Sequence, residues 1–350
     1  KIGANVAAAI RLRASDGMSN RGVIPHGAAF ILTPEQARHL GLGQVPGMEL
    51  LIRPYRNGRD LTDRPRGALV IDTIGYSAER LRSEQPAIYQ WLLDRAKPER
   101  DLVRRASIRD NWWLHAWSRS SFRPALNSIT RFIATGQVAK HRVFQWLDSS
   151  ILPDDKLIAI ASQDALHLGV LSSHAHTEWA LASGGHLGVG NDPVYSKSTC
   201  FETFPFPSDD TGLTPELTTR IRALAEQLDA HRKAQQAAHP ELTLTGMYNV
   251  LDKLRRAEPL NAKDKLIHTQ GLVSVLKSLH DELDAAVLAA YGWSDLQSAL
   301  TDHTHPEPRA AAVETLLERL VALNARRAAE ETAGTVRWLR PDFQCKTAGS

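Results

Sequence analysis

Cysteine is nearly absent from this sequence: Cys200 and Cys345 are the only two, 145 positions apart and without the spacing of a ligand pair. That scarcity excludes a disulfide framework and a zinc cluster, and fits a reducing cytoplasm. Long apolar runs are absent too, so there is no segment near the ~20 residues a membrane span requires. No GK[ST] follows a glycine-rich turn, and no Glu stands two residues before a Lys as metal-dependent nucleases of that pattern require. Asp154-Asp155-Lys156 is a poor imitation in a proline-led turn, and no nucleophile elbow accompanies any serine. Gly41-Leu42-Gly43 and Gly188-Val189-Gly190 follow no convincing strand and read as loops. His174 and His176, if helical, point apart and cannot share a metal. The chain opens at Lys1 in mid-pattern with no signal peptide, and is expected to be a segment of something longer.

Charge is present but unevenly placed. Residues 1–150 hold 20 Arg, 3 Lys and 13 acids, a balance of +10, against +3 for the whole chain. Between 103 and 142 lie Arg104, Arg105, Arg109, Arg119, Arg123, Arg131, Lys140 and Arg142, with Asp110 the lone acid. Trp112, Trp113, Trp117, Phe122 and Phe132 are interleaved and read mostly as core. Such a segment fits phosphate attraction, and equally a solvated basic surface.

The texture changes at Pro207. Before it, ALVIDTI (68–74), RFIAT (131–135), RVFQWL (142–147) and KLIAIAS (156–162) read as strands. Residues 77–96 read as a helix capped by Ser77 and interrupted by Pro86, and 165–183 as a helix stopped by Gly184-Gly185. After it, Thr214-Pro215 opens a helix with an apolar stripe at Leu217, Ile221, Leu224 and Leu228. Residues 244–257, 263–293 and 309–331 are three further helical segments. The expected fold is α+β: a mixed α/β domain over 1–207, then an all-α helical bundle over 208–350.

Three blocks carry a resemblance: RFIATGQVAKHRVFQWLDSSILPDDKLIAIAS, LGVLSSHAHTEWALASGG and YSKSTCFETFPFP, in that order. With SNRGVIPHGAAFILTPEQA and RPYRNGRDL upstream, and LTLTGMYNVLDKLR and LDAAVLAAYGWSDL downstream, the chain resembles the target-recognition and C-terminal helical regions of MmeI-like DNA methyltransferases, the type IIL restriction–modification enzymes. The resemblance implies a parent that is an S-adenosylmethionine-dependent adenine-N6 methyltransferase whose cofactor site and Pro-Pro-aromatic motif lie upstream. This chain has no Pro-Pro, so no cofactor is expected on it. The implied partners are double-stranded DNA and the methyltransferase domain of the same polypeptide, with no membrane.

By the same resemblance, the loop after LASGG chooses the sequence. Gly188 and Gly190 let backbone approach a groove; Asn191, Asp192, Tyr195 and Lys197 are expected to read bases, with Ser173 and His174 on the preceding helix. Arg123, Arg131, Lys140, His141 and Arg142 are the expected backbone contacts, and TCFETFPFP the stiff anchor. Asp72 reads as a structural partner for arginine. Two other readings stay open: a protein-interaction scaffold without specific DNA binding, and a hydrolase using His174 or His176 with Asp164.

Overall fold

The computed structural model describes residues 4–187 and 192–347. Its strands are short: β1 (Ser19–Arg21), β2 (Ile31–Leu32), β3 (Ile52–Arg56), β4 (Leu69–Ile71), β5 (Arg131–Gly136), β6 (Gln145–Asp148), β7 (Leu152–Pro153), β8 (Leu157–Ile160), β9 (Gly185–Leu187) and β10 (Asp192–Val194). They form an antiparallel sheet of order β1-β8-β5-β6, a second sheet of order β2-β4-β3-β7 and the β9–β10 hairpin. The principal helices are α1 (Ala78–Glu84), α2 (Pro86–Arg95), α3 (Ala165–Ser172), α4 (His174–Ser183), α5 (Pro215–Ala238), α6 (Leu244–Arg255), α7 (Ala262–Gly271), α8 (Val273–Ala290) and α9 (Pro306–Thr332). The chain is thus α+β, with the sheets in its first part and long helices after them. No helix of the described residues is long and apolar enough to cross a membrane.

The period of two along a strand explains the first sheet. Ile133, Ile158 and Ile160 point to one face, where α3, Tyr195, Cys200 and Phe201 cover them. Phe132, Ala134, Leu157 and Ala159 point to the other, under Phe122 and Leu126. Both faces are dry, which is why these strands read as continuous apolar runs. In the second sheet, Ile52, Tyr55 and Val70 pack with Leu81, Ile88 and Leu92 of α1 and α2.

Caps set the helix boundaries. Ser77 accepts from the Arg80 N–H at 3.1 Å to start α1, and Pro86 starts α2 rather than merely kinking one helix. Thr214 accepts from the Leu217 N–H at 3.2 Å, with Pro215 in the first turn of α5. Two breaks differ from the sequence-based expectation. Residues 165–183 form two helices, because Ser173 is extended (ψ 162°). Residues 263–293 likewise divide at Leu272, which adopts the left-handed region (φ 43°). The strand expected from 142 begins only at Gln145.

The change of texture at Pro207 is not a break in packing. A single apolar cluster joins Val143, Val170, Trp179 and Phe204 to Ile221, Leu228, Leu283, Leu316 and Leu320. Gly169 permits the closest part of this contact: a Cβ there would lie 2.5 Å from the Ile221 methyl. Past α9 the chain returns to the sheets, where Arg340 donates to the Ala125 carbonyl at 2.8 Å.

Candidate nucleic-acid interface

The β9–β10 hairpin stands where the sheets meet the helical region. Its register pairs Gly185 with Val194, His186 with Pro193 and Leu187 with Asp192. Gly188, Gly190 and Asn191, expected to read bases, lie outside the described residues. Gly185, His186 and Leu187 are exposed, Leu187 by 62%, so this arm projects from the body. The other arm is tied down. Val194 bridges Val138, and the Tyr195 N–H donates to the Gln137 carbonyl at 2.7 Å. Gly184 is the pivot, since a Cβ there would collide with the carbonyl oxygens of Val194 and Ala180.

The anchor beneath it is aromatic and dry. Tyr195, Cys200, Phe201 and Phe204 are buried, and Phe204 packs edge-on against Phe206 at 5.1 Å. His176 of α4 meets Phe204 at 4.4 Å between ring centroids, and its Nε2 lies 2.8 Å from the Tyr195 hydroxyl. Burial, then the nearby Arg142 charge, push the His176 imidazole down to about 3. Trp179 donates to the Thr203 hydroxyl at 3.3 Å, which closes the connection between α4 and the anchor.

Several expected contacts are corrected by this packing. Tyr195 is 1% exposed and bonded to His176, so its hydroxyl holds the anchor together and cannot reach a base. Ser173 is also 1% exposed, and its hydroxyl donates to the Val170 carbonyl at 2.7 Å. Arg123 is buried in a two-pronged pair with Asp72, at 2.7 and 3.1 Å, and its burial takes the guanidinium out of reach of phosphate. Burial alone would raise the Asp72 carboxyl, but Arg123, His115 and Arg53 hold it below its ordinary value. Arg142 does not extend outward from a strand. It bonds Thr135, Gly136 and, at 3.3 Å, the Pro193 carbonyl, with its guanidinium 5.0 Å from the Tyr195 ring centre. Burial pushes it down to about 10, and its work is to clamp the hairpin base.

Other expected residues sit at the surface with partners. Lys197 pairs with Glu202 at 2.8 Å, and Arg131 pairs with Glu226 while lying over Trp146 at 3.9 Å. Lys140 and His141 both reach the Asn249 side-chain oxygen, at 2.7 and 2.8 Å. Asp192 is half-buried at the edge of the hairpin. His174, expected to read a base, is not at the surface: its side chain is 11% exposed, Nδ1 donates to Asp284 at 2.6 Å and Nε2 accepts from Arg255 at 3.1 Å, so both ring nitrogens are spent. The arginine-rich run therefore does not form one basic face. Three of its charges are consumed by acids distant in sequence: Arg119 by Asp155, Arg123 by Asp72, Arg131 by Glu226. Asp164, considered with the histidines for hydrolysis, caps α3 and pairs with Arg222 at 2.7 Å.

The concave surface lies elsewhere. A cleft of about 560 Å³ is bordered by Asn57, Arg59, Val138, Lys140, His141 and Lys156. Its described lining holds three cations and no carboxylate. Arg59, Lys140 and Lys156 are exposed, so the cleft focuses positive potential toward solvent. A second cleft, of about 290 Å³, shares Ala139, Lys140 and His141 with the first and continues between Pro193, α4 and the helical region. The sequence reading missed Arg59 and Lys156, and missed Arg255, Arg256, His303 and Arg309 on the second cleft. No local signal marks them, because their convergence is tertiary.

Gly41 and Gly43 both have positive φ, in a turn that follows the helix Pro34–His39 rather than a strand. Among the described residues, no group of three or more His, Cys, Asp or Glu could hold a metal ion.

A two-sheet scaffold, an anchored hairpin and a helical region meeting at a cation-lined cleft define a target-recognition module. The family model for the MmeI target recognition domain matches residues 20–208, more than half of the chain, and the chain belongs to that family. Among solved structures, the type IIL restriction–modification enzyme MmeI in complex with DNA has the same fold. The TM-score is 0.64 at 16% sequence identity, over 91% of this chain and 37% of that one. This chain therefore spans little more than a third of that enzyme's length. No curated protein matches the sequence.

Proposed function

We propose that this chain recognises a DNA sequence as the target-recognition part of a type IIL-like restriction–modification enzyme. The observation that carries the reading is the position of the β9–β10 hairpin. It stands beside a cleft lined by Arg59, Lys140 and Lys156 without a carboxylate. Phosphate attraction to the cleft would hold the duplex, and the hairpin would read base edges. Asp192 accepts from cytosine N4 in this scheme, and Asn191 pairs with adenine. The tied arm holds Asp192 in place before DNA arrives, so less ordering entropy is lost there on binding.

Chemistry belongs to another part of the same polypeptide in this reading: an upstream S-adenosylmethionine-dependent domain that methylates adenine N6, in the cytoplasm. The residues of this chain position that domain on its site and bind no cofactor themselves. The division of labour proposed for the chain is a reading unit over 1–207 and a helical unit over 208–350.

The test is a titration with random-sequence duplex at several salt concentrations. A steep fall of affinity with salt is expected, with a log–log slope of about −0.9 per phosphate neutralised. A weak and salt-indifferent response would instead favour a scaffold that binds protein.

A further inference from the structure

The second cleft contains a cluster that the reading function leaves unused. Arg255 closes α6, and its side chain is 6% exposed. One terminal nitrogen donates to His174 Nε2 at 3.1 Å and the other to Asp281 at 3.1 Å, but Nε is buried with no partner. Arg309 pairs with Glu178 of α4, and its Nε is likewise buried and unpaired. His303 Nε2 and the Ser172 hydroxyl complete the set of buried, unpartnered atoms on residues lining this cleft. Buried donors are almost always satisfied, so such a concentration in one concavity marks a place where a ligand supplies acceptors.

The charge of the lining says which ligand. Lys140, Arg142, Arg255, Arg256 and Arg309 face it, against Glu178 and Asp252. Glu178 is already neutralised by Arg309, while Asp252 lies 3.8 Å from His141. Behind the wall, Asp281 and Asp284 engage Arg255 and His174, which fixes the guanidinium and the imidazole rather than filling the cleft. Two arginines with spare donors and a third N–H or hydroxyl match the oxygens of a tetrahedral anion.

We propose that this cleft is a phosphate pocket, in which Arg255, Arg309 and His303 of the helical region bind one phosphate group beside the hairpin base. The surroundings of His303 agree. Burial pushes its imidazole down to about 3, and Arg309, Arg255, His174 and Arg256 push in the same direction. A phosphate among them would oppose that push. In the DNA-bound state, on which the choice of source rests, the phosphate is one backbone phosphodiester. The helical region then grips the strand that the hairpin reads, in addition to bracing the sheets.

Two measurements on the full chain test this. Histidine-labelled protein is titrated with inorganic phosphate, following the His303 resonance by NMR. Duplex affinity is then measured for wild type, Arg309→Gln and Arg255→Lys, each checked for an unchanged melting temperature. The expected results are a phosphate-dependent rise of the His303 pKa, absent in Arg309→Gln, and about tenfold weaker duplex binding for all sequences in both variants, with a salt slope smaller by about one in Arg309→Gln and unchanged in Arg255→Lys, which keeps its charge. If wild type binds no duplex yet phosphate still moves His303, the pocket stands, a free phosphate is its source and the DNA reading fails. If duplex binding is intact in folded Arg309→Gln and phosphate leaves His303 unmoved, the pocket is refuted while the DNA reading survives.

Discussion

His174 and Asp284, 110 positions apart, are joined twice: the His174 backbone N–H and its Nδ1 both donate to the Asp284 carboxylate, at 2.7 and 2.6 Å. The first amide of α4 is thereby satisfied by α8, so the helix that leads into the hairpin starts on the helical region. Arg255 can only donate, so His174 Nε2 is the acceptor of their contact and Nδ1 carries the hydrogen. Burial alone would raise the Asp284 carboxyl, but His174 and Arg255 hold it below its ordinary value.

Removing that carboxylate should therefore uncouple the two regions. Asp284→Ala leaves a buried imidazole N–H and a backbone amide, both of His174, without their acceptor. The expected loss is about 2–6 kcal/mol of unfolding free energy, at about 1–3 kcal/mol for each unsatisfied donor, read as a lower urea midpoint. A midpoint within error of wild type would show that α4 does not depend on this contact.

Gly184→Ala should disorder the hairpin without unfolding the protein. The added methyl meets the carbonyl oxygens of Val194 on β10 and Ala180 on α4, so the hairpin must shift relative to the end of α4. Amide exchange at Gly185–Leu187 and Val194 is expected to accelerate while the sheet amides of Arg131–Gly136 stay protected. Arg142→Ala should do the same more weakly, because it removes one of several ties to Pro193 and Gly136.

Phosphate attraction and base choice should separate by residue. Arg59→Ala and Lys156→Ala, both exposed on the larger cleft, are expected to weaken every duplex alike and to lower the salt slope by about one each. If the complete protein is the methyltransferase proposed above, Asp192→Ala and Asn191→Ala should instead change which sites it methylates, with discrimination altered by roughly 1–3 kcal/mol per base contact. Identical methylation patterns in both loop variants would remove the hairpin from base reading.

Acid should destabilise the fold well before the carboxylates titrate. Burial pushes the imidazoles of His115 and His176 down to about 4 and about 3, and lowers those of His167 and His280. In the unfolded chain these groups take up protons near 6.5. Stability is fully present above that pH, and falls as pH drops from 6.5 toward the folded values, because only the unfolded state gains the protons. The urea midpoint should decline between pH 7 and pH 5, and His176→Phe should flatten that decline.

The sequence carried the local part of this structure. Thr214-Pro215, Ser77 and Pro86 announced helix starts because a cap acts on amides two or three residues away. The apolar runs at 131–135 and 156–162 announced strands, and the two Phe-Pro pairs announced a rigid anchor. The family resemblance rested on such ordered blocks.

Which arginines are available was decided elsewhere. Arg123 and Arg59 look alike in sequence, yet one is locked onto Asp72 and the other faces a cleft. Ser173 and Leu272 break helices that periodicity alone continues. Arg255, His303 and Arg309 meet only because α6, α9 and the loop before α9 converge on α4. Periodicity and capping depend on neighbours within a few residues, so the chain itself determined them. A charge is spent or spared by partners that may be a hundred residues away, and those only the tertiary structure could assign.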